Sequence, residues 1–324
     1  MNGSPTTPRS TMTTAVAALL AVVALVVAAV TQAATHQAPT AQDDRLRFAV
    51  IGDYGYEGRP ASEVAALVAS WQPDLVITTG DNNYPDGAAS TIDRNIGRHY
   101  AQFIAPYRGI FGPGAAKNQF FPSLGNHDWH ARDARPYLEY FTLPGNERYY
   151  DFAAGPVHFF ALDSDDHEPD GNTADSRQAA WLRDKLARAR EPWRVVYMHH
   201  PPYSSGDHGN TPETQWPYED WGATAVLGGH DHSYERIQVG GIPYFVNGLG
   251  GAPYYDFRDV VAGSRARHTG EHGAMLANTT RHVANFTFYT TDGVLVDEHR
   301  QCRAWEWRPG VHGCMAGAWG GRSR

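Results

Sequence analysis

The chain has 324 residues, 42% of them hydrophobic and 19% charged, and its 27 Lys and Arg against 35 Asp and Glu give a formal net charge of −8. That is ample apolar material for a large folded domain, so disorder is excluded, and without a basic excess nucleic acid is not an expected partner. Sixteen histidines stand out, because imidazole is both the commonest metal ligand and the usual proton-transfer group.

The first feature along the chain is a run of almost pure Ala, Val and Leu over residues 15–30, preceded by Arg9 and followed by the small residues around Ala33. It is shorter than the roughly 20 residues that span a bilayer. Residues 1–34 therefore read as a secretory signal peptide, with an uncleaved membrane anchor as the alternative. Residues 35–44, THQAPTAQDD, read as a flexible linker. Apolar runs then predict strands over 46–52, 75–79, 157–163, 194–198, 223–227, 244–246, 285–289 and 294–296. Pro60 suits the first turn of a helix before ASEVAALVAS. Ser176 starts a second helix, RQAAWLRDKLARAR, with Ala180, Trp181, Leu186 and Ala187 near one face. Strands alternating with helices predict a layered α/β catalytic domain over 45–298. A tail over 299–324 holds Cys302 and Cys314, which in an exported protein are expected to form one local disulfide.

Chemistry-bearing residues collect after these strands. Asp53-Tyr54-Gly55 follows the first, and Gly80-Asp81-Asn82-Asn83-Tyr84 the second. Gly125-Asn126-His127-Asp128 lies in a later loop. His199-His200-Pro201-Pro202 and Gly228-Gly229-His230-Asp231-His232 follow two more strands. Sites in open sheets are built at strand carboxyl ends, and a neighbouring glycine lets the backbone turn and approach a ligand. Each piece alone reads as a polar turn; five in order do not.

Together the five motifs resemble those of the calcineurin-like metallophosphoesterases, and within them the purple (tartrate-resistant) acid phosphatases. They span Asp53 to His232. The resemblance implies a four-layer α/β sandwich, two mixed β-sheets flanked by helices, with a dinuclear metal centre at the strand ends. It implies a first metal on Asp53, Asp81, Tyr84 and His232, and a second on Asp81, Asn126, His199 and His230. Two neighbouring cations need a bridging anion, the role given to Asp81. Ferric iron is implied in the first site, beside a Tyr84 phenolate, and Fe(2+), Zn(2+) or Mn(2+) in the second. The implied nucleophile is a hydroxide on the metals.

The family pattern Val-x-x-His fits Val196-Tyr197-Met198-His199, so His199 is the implied ligand and His200 is expected to point away. His127 and His208 are the implied groups that bind phosphate oxygens or protonate the leaving alkoxide. Asp128 is expected to orient His127 or a neighbouring loop. Trp181 and Leu182 match the family's QxxWL helix and are expected in the core. Residues 247–257, NGLGGAPYYDF, are placed to wall the pocket. The reading is a secreted acid phosphatase acting on phosphate monoesters, with phosphorylated small molecules as substrates and membrane contact only through a retained N-terminal segment. The alternative is a phosphodiesterase of the same superfamily. Many of those carry a ligating His where this chain has Gly55.

Overall fold

The structure is a computed structural model and describes residues 1–3, 44–131 and 133–303. The chain divides into Met1–Thr40 and Ala41–Arg324, and the architecture below belongs to the second unit. The apolar run at 15–30, His312 and Cys314 lie outside the described residues. No helix among the described residues is long and apolar enough to cross a membrane.

The strands, in chain order, are β1 (Arg45–Ile51), β2 (Leu75–Thr78), β3 (Phe120–Pro122), β4 (Tyr150–Ala154), β5 (Val157–Ala161), β6 (Trp193–Tyr197), β7 (Ala225–Gly228), β8 (Tyr234–Val239), β9 (Ile242–Asn247), β10 (Ser264–His268), β11 (Gly273–Thr280), β12 (Val283–Thr290) and β13 (Leu295–Cys302). They form a six-stranded sheet in the order β13-β12-β11-β1-β2-β3 and a seven-stranded sheet in the order β10-β8-β9-β7-β6-β5-β4. Both are mixed. β1 runs parallel to β2 and antiparallel to β11, while β6 runs parallel to β5 and β7 and β8 antiparallel to β9.

The two sheets meet through alternate side chains. Phe48 of β1 sits edge-on to Phe159 of β5, with ring centroids 5.0 Å apart. One residue on, Phe160 faces the opposite way, into a second cluster with Leu162, Val196 and Val226. Such strands are apolar on both faces because helices cover the outside. Helix α1 (Arg59–Ser70), with Pro60 in its first turn, buries Ala61, Val64, Ala65 and Val68 on the six-stranded sheet. A short helix, α2 (Asn126–Trp129), follows β3. Helix α3 (Arg177–Arg188) covers the seven-stranded sheet, and its cap is Ser176, whose hydroxyl accepts the Ala179 N–H at 3.0 Å. The result is the expected four layers: helix, two mixed sheets, helix.

Four expectations need correction. The buried face of α3 is Gln178, Ala179, Leu182 and Leu186, the i, i+4, i+8 row; Ala180 and Ala187 are exposed. Leu182 is core as expected, but Trp181 is only half-buried, packing 5.0 Å from the Tyr149 ring. The sequence does not predict β3, β4, β8, β10 or β11: Glu235, Arg236, Arg265 and Arg267 break up β8 and β10 at one end of their sheet, while Phe120-Phe121 of β3 and residues 274–277 of β11 are apolar but short. Finally, β13 continues to Cys302, into the stretch assigned to the tail.

Candidate metal centre

The five motifs all follow strands: Asp53 after β1, Asp81 and Tyr84 after β2, Asn126 after β3, His199 after β6, and His230 and His232 after β7. The ends of both sheets thus meet at one place. Three of these residues hold left-handed backbone, with φ of 55° at Asp53, 52° at Asp81 and 68° at His230. Such conformations cost on the order of 1–3 kcal/mol each, and persist only where surroundings over-determine them. Here they do. The Asp53 N–H donates to Gly80 O at 3.1 Å, Gly55 N–H to Asp81 O at 3.3 Å, Tyr84 N–H to Gly55 O at 2.9 Å, and His230 N–H to Asp53 Oδ2 at 3.0 Å. At Gly55 the chains lie so close that a Cβ would stand 1.9 Å from Asn82 O. No side chain fits there on this backbone, and the His that some relatives carry is sterically excluded.

The polar side chains converge in two sets. In the first, the Tyr84 hydroxyl lies 2.8 Å from Asp81 Oδ2, 3.2 Å from Asp53 Oδ1 and 3.1 Å from His232 Nε2. In the second, His199 Nε2 lies 2.9 Å from Asn126 Oδ1, 3.1 Å from His230 Nδ1 and 3.4 Å from Asp81 Oδ1. Asp81, only 1% exposed, therefore turns one oxygen to each set. Donors bonded at about 2.1 Å to one cation stand about 3.0 Å apart in an octahedron and about 3.4 Å in a tetrahedron. Both sets have that spacing, so the residues fit metal ions. Hard oxygens mixed with imidazoles suit iron, zinc or manganese.

Outer partners fix the imidazoles. His199 Nδ1–H donates to Thr79 O at 2.9 Å and His232 Nδ1–H to Pro253 O at 2.6 Å, which leaves both Nε2 lone pairs facing inward. Burial, then the neighbouring His200, holds His199 well below the usual imidazole range, so it stays a neutral donor. Burial pushes the Asp53 carboxyl up to about 6, against the hydrogen bond and charge of His232. Burial, then the charges of Asp53 and Asp81, pushes the Tyr84 phenol well above its usual value. A cation at the first set favours the ionised form of both acids.

His127 and His208 stand at the rim. His127 is 29% exposed; its N–H donates to Asp81 Oδ1 at 3.0 Å and its Nδ1–H to Pro85 O at 2.5 Å, leaving Nε2 free, 3.9 Å from Asp81 Oδ2. His208 is exposed and stacks its ring on His230 at 4.0 Å. Tyr255, in the loop expected to wall the pocket, stacks on His232 at 4.0 Å. His200 does not point away. Its N–H and Nδ1 both bind Ser164 Oγ, at 2.8 Å and 2.9 Å, which turns the ring inward to 4.9 Å from His199 and 4.5 Å from His230.

Asp128 ties down the neighbouring loop rather than His127. Its Oδ2 accepts from Gly125 N–H and from Asn82 N–H and Nδ2–H, at 2.9, 3.2 and 2.7 Å. Asn82 also accepts from Tyr54 and Thr78, at 2.9 Å and 2.6 Å, and so anchors the residue after Asp81. The sequence reading passed over Asn82; its place inside the Gly80–Tyr84 motif was the available signal.

The sequence pattern of the calcineurin-like phosphoesterase family matches residues 46–234, the stretch that carries both donor sets, His127 and His208. The chain belongs to this family. Purple acid phosphatase 17 of Arabidopsis thaliana is 26% identical over 80% of this chain and 85% of its own length. Tartrate-resistant acid phosphatase type 5 of Mus musculus is 27% identical over 65% of this chain and 74% of its own. Among solved structures, the purple acid phosphatase PPD1 from yellow lupin seeds superposes with a TM-score of 0.66 at 16% identity, over 81% of this chain. The match spans 54% of that lupin protein. GAP50, the anchor in the inner membrane complex of Plasmodium, superposes with a TM-score of 0.61 at 15% identity over 81% of this chain, so the fold alone is shared. This member of the family is a phosphoester hydrolase similar to purple acid phosphatases, with a candidate metal-binding group at the joined strand ends.

Proposed function

We propose that this hydrolase is an exported acid phosphatase that cleaves phosphate monoesters at a pair of metal ions. The observation that carries the reading is the division of Asp81, one oxygen to each donor set. Asp53, Asp81, Tyr84 and His232 would hold the first ion, ferric iron beside the phenol oxygen. Asp81, Asn126, His199 and His230 would hold the second, Fe(2+), Zn(2+) or Mn(2+). Such ions, when bound, supply Lewis acidity toward phosphate oxygens and lower the pKa of water toward neutrality. Asn126 brings no charge, so the second set repels an anionic substrate less than a carboxylate there would. His127 and His208 hold phosphate oxygens at the rim. One of them donates a proton to the leaving alkoxide oxygen, His127 from Nε2 since Nδ1 is engaged by Pro85. Tyr255, lying flat on His232, shields the first donor set from water. Export rests on the apolar run at 15–30.

Two chromogenic substrates test this. The kcat/KM for p-nitrophenyl phosphate is expected to exceed that for bis(p-nitrophenyl) phosphate by roughly a hundredfold, about 3 kcal/mol of discrimination. A preference for the diester contradicts the reading and favours a phosphodiesterase.

A further inference from the structure

The loop that carries His208 is fastened to the residue between the two histidines of Gly229-His230-Asp231-His232. Asp231 is 0% exposed. Its Oδ1 accepts the His208 N–H at 2.8 Å. Its Oδ2 accepts the Ser204 hydroxyl at 2.5 Å and the Gly209 N–H at 3.3 Å. Ser204 Oγ accepts in turn from Gly206 N–H at 2.9 Å. The loop wraps the carboxylate so closely that a Cβ at Gly206 would lie 2.3 Å from Asp231 Cγ.

Asp231 is itself held in a tight turn. Its N–H donates to Gly229 O at 2.8 Å, and the Ser233 N–H donates to Asp231 O at 2.7 Å. The segment that offers His230 and His232 to the donor sets therefore also carries the carboxylate that fixes where His208 leaves the backbone. Hydrogen bonds to a buried carboxylate are about twice as strong as neutral ones, and they are directional. A second buried carboxylate reinforces the first: Glu235 accepts from Ser205 N–H and Oγ–H, both at 2.7 Å. At the rim, the exposed His208 ring stacks on His230, with centroids 4.0 Å apart and planes 27° apart.

We propose that Asp231 is a positioning residue for phosphate ester cleavage, acting through His208. It would set the distance between the proton donor and the donor sets. This rests on giving the proton transfer named above to His208 rather than to His127, and the experiment separates the two. The metal-loaded full chain would be compared as wild type, Asp231→Asn, His208→Ala and the double variant. Each would be assayed on p-nitrophenyl phosphate, which needs little help for its leaving group, and on glycerol phosphate, which needs a proton. Metal content and thermal unfolding would be followed in parallel.

Asp231→Asn is expected to lower kcat on glycerol phosphate by roughly 10- to 100-fold and on the nitrophenyl ester by no more than about threefold. The double variant is expected to be no slower than His208→Ala alone, because the two changes remove one function. Ser204→Ala, which deletes a single partner of Oδ2, should show the same selectivity at smaller size and covers the case in which Asp231→Asn does not fold. Multiplying defects, equal losses on both esters, or loss of metal overturn the inference and make Asp231 a merely structural residue. A His208→Ala protein as fast as wild type on both esters removes the role of His208 itself, and this inference with it.

Discussion

Asp81→Ala is expected to lower kcat on p-nitrophenyl phosphate by at least about a thousandfold, the size of losing several kcal/mol of metal-assisted stabilisation. It is also expected to strip metal from the purified protein. The reason is the division of its carboxylate: Oδ2 stands 2.8 Å from the Tyr84 hydroxyl and Oδ1 stands 3.4 Å from His199 Nε2. Among the described residues no other carboxylate stands within 3.4 Å of both Tyr84 and His199, so losing this one weakens both sets. The same Oδ1 accepts the His127 N–H at 3.0 Å, and a rim histidine would lose its anchor as well. Asp81→Asn keeps that acceptor and removes the charge, so it should retain the fold yet lose most of the metal. Elemental analysis beside kcat reads both effects. Full activity in either variant contradicts the assignment of Asp81.

Gly55→Ala is expected to destabilise the protein by about 3 kcal/mol or more, a drop of roughly 5 °C or more in Tm for a domain of this size. A methyl group there would meet Asn82 O at 1.9 Å and Asn83 N at 2.6 Å. Those are backbone atoms, and they cannot swing aside. Asn82 is held by Tyr54, Thr78, Ser123 and Asp128 together. Gly55 also joins the first two motifs through hydrogen bonds to Asp81 O and from Tyr84 N–H. A thermal melt decides it. An unchanged Tm would mean that the loop yields, and that position 55 has room for the His found in diesterase relatives.

The site was legible in the sequence because its residues follow apolar runs in short, punctuated loops. β1 ends in the apolar residues 48–51 and β2 is Leu-Val-Ile-Thr, and Asp53, Asp81 and Tyr84 come within six residues of their ends. Less was legible where neighbours are distant in sequence. The inward turn of His200 is imposed by Ser164, 36 positions away. The clamp of Asp231 on the His208 loop joins residues 23 apart through a fold that neither segment announces. Strands β8 and β10 escaped for a different reason: Glu235, Arg236, Arg265 and Arg267 interrupt any apolar run. The face of α3 was misplaced because Ala180 and Trp181 are as apolar as the residues actually buried, so composition could not fix its rotation.

Tyr84 is the residue on which the proposed first metal site turns. Its hydroxyl touches Asp53, Asp81 and His232 together, and in the proposed site it is the oxygen that would bind ferric iron. The most direct measurement is elemental analysis with a visible absorption spectrum of the purified protein, beside Tyr84→Phe. Two metal ions per chain are expected, iron among them, with a broad visible band from tyrosinate-to-ferric charge transfer that Tyr84→Phe abolishes. A colourless, iron-free and fully active enzyme would contradict the proposed site.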